Sequence, residues 1–143
     1  MKGKCLCGRV EFVLNGNLPN LYQCHCSLCK KTTGTSSCSA IVIDANKIEW
    51  VKGKENINSF TKKNGFRTDF CKTCGSPVPN KMNVGNYIWV PAGILENPIK
   101  GRVTAHIFTE SKASWEEDSR NCSDYVSAPE DIHAFMKSLS NED

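Results

Sequence analysis

The sequence predicts a mainly β protein with little helix, and three observations carry that prediction. Short segments of strand-like residues are cut every few positions by turn residues. Seven of the nine cysteines fall into three tight clusters, spaced for metal rather than for disulfides. One helical stripe is visible, at the C-terminus.

Taken in order, Arg9–Leu14 alternates loosely and stops at the turn signal Asn15-Gly16-Asn17. Cys38–Ile43 and Ile48–Val51 flank the polar stretch Asp44–Lys47, as a hairpin would. Ile57–Thr61 and Phe66–Phe70 flank Asn64-Gly65, the strongest hairpin cue in the chain. Ser76–Met82 and Tyr87–Pro91 flank a second turn at Gly85-Asn86, and Val103–Phe108 reads as a late strand. A short turn of helix is expected at Ser27–Thr32. At the C-terminus Ser127 and Glu130 stand in capping-box relation, and Pro129 sits where a first helical turn tolerates it. Ile132, Phe135, Met136 and Leu139 then form one apolar stripe, expected to pack the helix on the sheet.

Length and composition point to one domain over residues 1–143, with 39% hydrophobic and 23% charged residues. No apolar run approaches membrane-spanning length, and MKGKCLCGRV has no apolar signal core. A cytoplasmic location follows as an expectation, and with it a reducing compartment where clustered cysteines are metal ligands more often than bridges. The net charge of +3 is spread thinly. No basic run marks a nucleic-acid groove.

The cysteine spacings divide into a full site and an open one. Cys5-x-Cys7 and Cys71-x-x-Cys74 supply two ligands each, enough for a closed tetrahedral zinc site. Gly75 lets the second pair exit its knuckle, and Gly8 can bend the first, because alternate side chains on a straight strand lie about 6.6 Å apart. Cys24, Cys26 and Cys29 put three thiolates within six residues and leave a fourth corner vacant. Three thiolates outweigh a divalent ion, so this zinc is a poor Lewis acid and a good host for a further thiolate. It would hold that thiol deprotonated at neutral pH, favouring chemistry at sulfur over hydrolysis.

Plainer readings compete. Either pair could be a redox or buried thiol pair, and Cys38 could close the second site as a fourth ligand. Cys38 is more simply a small buried residue on a strand. His25, between two ligands, is expected to point away from the metal, with His106 a remote candidate for the fourth corner. Lys30 and Lys31 follow the last ligand and could receive a substrate carboxylate, although solvated lysines are the commoner case. Thr33-Gly34 is expected to end the ligand turn. Cys122 reads as incidental.

At these residues the chain resembles the glutathione-dependent formaldehyde-activating enzyme (GFA) family. The matching elements are CxCG at Cys5–Gly8, CHCSLCKKTTG at Cys24–Gly34, FCKTCGSP at Phe70–Pro77 and HIFTESKASW at His106–Trp115. The resemblance implies a β-tent fold of twisted antiparallel sheets. It also implies two Zn²⁺ ions, one structural on Cys5, Cys7, Cys71 and Cys74 and one catalytic on Cys24, Cys26 and Cys29. The activity implied is that of a carbon–sulfur lyase or synthase, joining glutathione and formaldehyde as S-(hydroxymethyl)glutathione. Within the late motif, His106 is the expected proton-transfer group and Trp115 an expected packing residue. The competing function is a non-catalytic zinc-binding interaction module of the same fold.

Overall fold

The computed structural model describes residues 1–96, 98–116 and 123–140. In chain order the strands are β1 (Lys2–Lys4), β2 (Glu11–Leu14), β3 (Leu21–Cys24), β4 (Cys38–Asp44), β5 (Ile48–Lys52) and β6 (Ile57–Thr61). They continue with β7 (Arg67–Cys71), β8 (Pro77–Val78), β9 (Asn80–Lys81), β10 (Tyr87–Pro91), β11 (Val103–Ile107) and β12 (Ser123–Asp124). Among the described residues two α-helices accompany them, α1 (Ser27–Thr33) and α2 (Ile132–Ser138).

The strands form three sheets, ordered β1-β2-β5, β12-β11-β3-β4-β10-β9 and β6-β7-β8. Ala40 to Ile43 on β4 are all buried, so this strand needs cover on both faces and sits in the middle of the largest sheet. That requirement overturns the hairpin expected across Asp44–Lys47. β4 pairs with β3 and β10, whereas β5 pairs with β2 in another sheet. The 3₁₀ turn Ala45–Lys47 carries the chain from one sheet to the next. The hairpin at Asn64-Gly65 is formed, with Ile57 opposite Cys71 and Thr61 opposite Arg67.

The segment expected as one strand at Ser76–Met82 is two strands in two sheets, divided at Pro79, which has no N–H for a ladder. The sheets are also not uniformly antiparallel. β11 lies parallel to both β3 and β12. Parallel partners must come from far apart in sequence, and β3 is about eighty residues upstream of β11.

α2 begins later than the capping-box pattern suggests. Its cap is Asp131, whose side chain accepts from the amides of His133 and Ala134, while the Ser127 hydroxyl donates to the Ala128 carbonyl. The apolar stripe does face the sheet. Phe135 and Leu139 are buried against Tyr22, Val42 and Ala105, and Phe135 meets the Tyr22 and Tyr125 rings edge-on at 5.4 and 5.5 Å. The opposite face of this sheet packs Ile41, Ile43 and Val90 on Phe12 and Leu14. Among the described residues no helix is long and apolar enough to cross a membrane.

Candidate metal centres and the adjoining cavity

Among the described residues two groups of cysteine sulfurs converge, and they are the two read from spacing. Cys5, Cys7, Cys71 and Cys74 place their sulfurs within 4.8 Å of one another, and so do Cys24, Cys26 and Cys29. The first group is built from two knuckles. β1 ends at Lys4, and the chain turns back with the Gly8 amide on the Cys5 carbonyl at 2.9 Å. The second knuckle repeats this with the Gly75 amide on the Cys71 carbonyl at 2.9 Å. Gly8 and Gly75 take φ of 70° and 73°, the left-handed region where a Cβ would be strained.

The donor set fits zinc. A tetrahedron with Zn–S bonds of about 2.3 Å has an edge of about 3.8 Å. Cys5 and Cys7 lie 3.6 Å apart and Cys7 and Cys71 3.8 Å apart, far beyond a disulfide bond of about 2.05 Å. N–H groups point at the sulfurs, from Val10 to Cys5 at 3.3 Å and from the Asn56 carboxamide to Cys71 at 3.2 Å. Burial pushes the Cys74 thiol up, but the Ser76 hydroxyl and amide outweigh it and hold Cys74 at about 5. Cys7 moves the other way: against the lowering bond from the Arg9 backbone, burial and bonds with Cys74, Cys5 and Cys71 push it up to about 11.

The three-cysteine group sits where β3 runs into α1. Cys24 ends the strand, and Cys26 caps the helix, its sulfur accepting from the Cys29 amide at 3.3 Å. Cys29 lies three residues on, over the same helical face. Thr33 and Gly34 do end this turn, with Gly34 left-handed as the C-cap. Mutual hydrogen bonds shift the three thiols unequally. Donation from Cys24 and Cys29 pulls Cys26 down to about 2. Its hydrogen bond to Cys26 pushes Cys24 up to about 12, and bonds to Cys24 and Cys26 push Cys29 upward too. One thiolate held by two thiols is a donor set that a divalent cation completes by displacing two protons.

Cys38 stands directly opposite Cys24 on β4, yet its sulfur is outside the converging group and donates to the Ser39 carbonyl at 3.9 Å. Burial, then the negative charge on Cys26, pushes it up to about 11. Cys24, Cys26, Cys29 and Cys38 all line a cavity of about 590 Å³. Its far wall is the tip and second strand of the β6–β7 hairpin together with β9, including Phe66, Arg67, Thr68 and Asn80. Phe108 closes one side. Among the described residues it is the one non-glycine with positive φ, at 57°, a strained conformation of the kind that clusters at functional sites.

His25 points away from the sulfurs, as expected. Its ring is buried, with Nδ1 2.8 Å from Glu116 Oε2 and Nε2 2.8 Å from His106 Nδ1. The two imidazoles are nearly coplanar, at 25°, with centroids 5.1 Å apart. That separation and the short N···N contact describe an edge-to-edge hydrogen bond rather than face-to-face stacking. A carboxylate only accepts, so His25 donates from Nδ1, and in its neutral form it accepts at Nε2 from His106.

Strand alternation explains the grouping. His106 is level with Gln23, and Ile107 with Cys24, so His106 occupies the opposite sheet face from the Cys24 sulfur. His106 does not line the cavity, and burial, then His25 and Lys112, lower its pKa. Lys30 and Lys31 do not line the cavity either. The Lys30 ammonium donates to the Ser111 carbonyl at 2.5 Å, and Lys31 is exposed. Trp115 is not a packing residue, being 72% exposed. Cys122 lies outside the described residues. Glu116, Thr68 and Asn80 were not read from sequence. Glu116 directly follows the HIFTESKASW segment, which is the one available signal, whereas nothing local marks the other two.

With this geometry in place, the comparisons are specific. The family described as glutathione-dependent formaldehyde-activating enzyme matches residues 1–111. A crystal structure of a Rhodobacter sphaeroides protein, a structural-genomics target, is similar with a TM-score of 0.59. It is 24% identical, and the match covers 73% of this chain and 100% of that one. This is a likeness of fold. Among curated proteins none matches.

Proposed function

Starting from the fact that this chain belongs to the glutathione-dependent formaldehyde-activating enzyme family, we propose that it makes or breaks a carbon–sulfur bond between a glutathione-like thiol and a small aldehyde such as formaldehyde. The observation that carries this reading is the pairing of three converging thiols with a cavity that they line themselves. A closed four-cysteine centre needs no cavity, and a non-catalytic module would leave this one without a role.

In this reading Cys5, Cys7, Cys71 and Cys74 hold a structural ion, and Cys24, Cys26 and Cys29 hold a reactive one. Bound zinc would supply an acidified yet nucleophilic substrate thiol at neutral pH. In the forward direction the sulfur lone pair forms the S–C bond, the carbonyl π pair moves to oxygen, and the proton lost from sulfur ends on that oxygen. The reverse returns free thiol and aldehyde.

The protein's own residues set the stage. Backbone and thiol hydrogen bonds orient the Cys26 sulfur. His106, facing the other side of the sheet, supports the ligand turn through His25 rather than passing protons to substrate. Lys30 fixes the Ser111 backbone beside the cavity. The test is the rate of S-(hydroxymethyl)glutathione formation from labelled formaldehyde, followed by exchange NMR with metal-loaded and metal-stripped protein. Equal rates refute the proposal.

A further inference from the structure

We infer that the carbonyl partner carries an apolar chain or ring, seated on a floor of Tyr22, Met82, Trp89 and Phe108 beside the three cysteine sulfurs. The inference rests on the thiol–aldehyde reading above and names the substituent on the aldehyde. These four residues belong to the same packed apolar cluster as Cys24, Cys26 and Cys29, and all of them line the cavity of about 590 Å³. Met82, Trp89 and Phe108, like Cys26 and Cys29, are only half-buried, so the protein leaves apolar surface uncovered next to the sulfurs. Trp89 hydrogen-bonds the Tyr22 hydroxyl, which commits the polar tips of both rings to each other. A one-carbon aldehyde covers almost none of this surface, and a cavity of such volume suits larger ligands.

Phe108 adds an independent argument. Its backbone is left-handed, with φ of 57°, where glycine or asparagine sits readily and a bulky ring is strained. The chain nevertheless keeps an aromatic ring there, packed on the cluster and lining the cavity. The charged residues of the lining, among the described residues, are Arg67 and Lys81, and both stand on the hairpin and β9 wall. Arg67 is engaged by both Asp69 oxygens at 2.8 Å, and Lys81 is exposed. The lining is thus divided. The polar wall is left to the hydrophilic body of the thiol, and the apolar floor to the group on the carbonyl carbon. On such a floor each buried methylene strengthens binding by about threefold.

The test lengthens the chain at constant carbonyl reactivity, from propanal to hexanal, with glutathione as the thiol and zinc-loaded protein. Wild-type kcat/KM for hemithioacetal formation, followed by exchange NMR, should rise about threefold per added methylene. The matching alcohols, propanol to hexanol, cannot accept a thiol and should bind with the same trend in calorimetry. Two variants locate the effect. Met82→Gln keeps the volume but puts an amide on the floor. Phe108→Asn removes the ring at a backbone angle that asparagine accepts, so it should still fold. Each should cut the gain to about 1.5-fold or less per methylene. A flat wild-type series in both assays, or a trend that both variants leave intact, would overturn the inference. Formaldehyde turnover beside a flat aldehyde series would overturn it and leave the thiol–aldehyde reading standing. Alcohols that bind with the chain-length trend, in protein that turns over no aldehyde, would refute that reading and leave the apolar floor standing.

Discussion

His25 Nδ1 lies 2.8 Å from Glu116 Oε2, which ties the residue between two candidate metal ligands to a carboxylate ninety-one positions away. The imidazole is wholly buried and the carboxylate nearly so. The His25 amide adds a bond to the Ile107 carbonyl at 3.0 Å. The backbone from Cys24 to Cys26 is therefore held through His25, on the side away from the cavity.

Glu116→Ala should strand a buried N–H at a cost of about 1–3 kcal/mol. The loss should be local. Chemical denaturation reads the stability, and metal analysis per chain should show the three-cysteine group depleted while the four-cysteine group stays filled. Uniform loss from both groups would place the role of Glu116 in the general fold.

Cys71→Ala removes a fully buried sulfur from the closed group. Structural zinc carries about 10–16 kcal/mol in small metal-folded peptides, against a whole-domain stability of about 5–15 kcal/mol. The expected result is insoluble or metal-poor protein, measured by soluble yield and zinc content. A stable, zinc-replete variant would show that the four sulfurs are not one site.

Cys38→Ala tests whether the three-cysteine group is open. With the Cys38 sulfur outside the converging group, metal content per chain should be unchanged and glutathione should still perturb the cobalt spectrum. Stability should fall by about 1 kcal/mol for the smaller side chain. Loss of one ion per chain, or of the spectral response, would make Cys38 a ligand.

Phe135→Ala should cost about 3–5 kcal/mol, the range for a buried phenylalanine. Phe135 is 4% exposed, between the Tyr22 and Tyr125 rings. Because Tyr22 also lines the cavity, a weaker cobalt response to glutathione should accompany the lower denaturation midpoint.

The two cysteine groups were legible because ligand spacing is a local property, written within six residues at Cys24–Cys29 and four at Cys71–Cys74. The same holds for the Ile57–Thr61 and Tyr87–Pro91 strands, whose turns carry their own signals. Pairing between distant strands was not legible. Nothing near Asp44–Lys47 says that β4 and β5 enter different sheets, since that depends on which partners cover the two apolar faces of β4. The side of the sheet that His106 occupies follows from its register with Gln23, a relation across more than eighty residues.

Asp131 gives a pH-dependent prediction whose sign is fixed. Hydrogen bonds from the Ala134 and His133 amides hold its carboxyl below the usual aspartate range. A depressed carboxyl stabilises the fold above its unfolded value of about 3.9, and that contribution is lost as pH falls through the folded value. Asp131→Ala should therefore lower the Tm most at neutral pH, and its gap from wild type should narrow in strong acid as the carboxyl loses its charge. Asp131→Asn keeps a capping oxygen without a titrating group, so its difference from Asp131→Ala should persist at every pH. Thermal melts of the three proteins from neutral pH down to about pH 2, well below the usual aspartate value of about 3.9, check this. A wild-type advantage over Asp131→Ala that did not narrow in strong acid would mean the side chain does not act as an ionised cap.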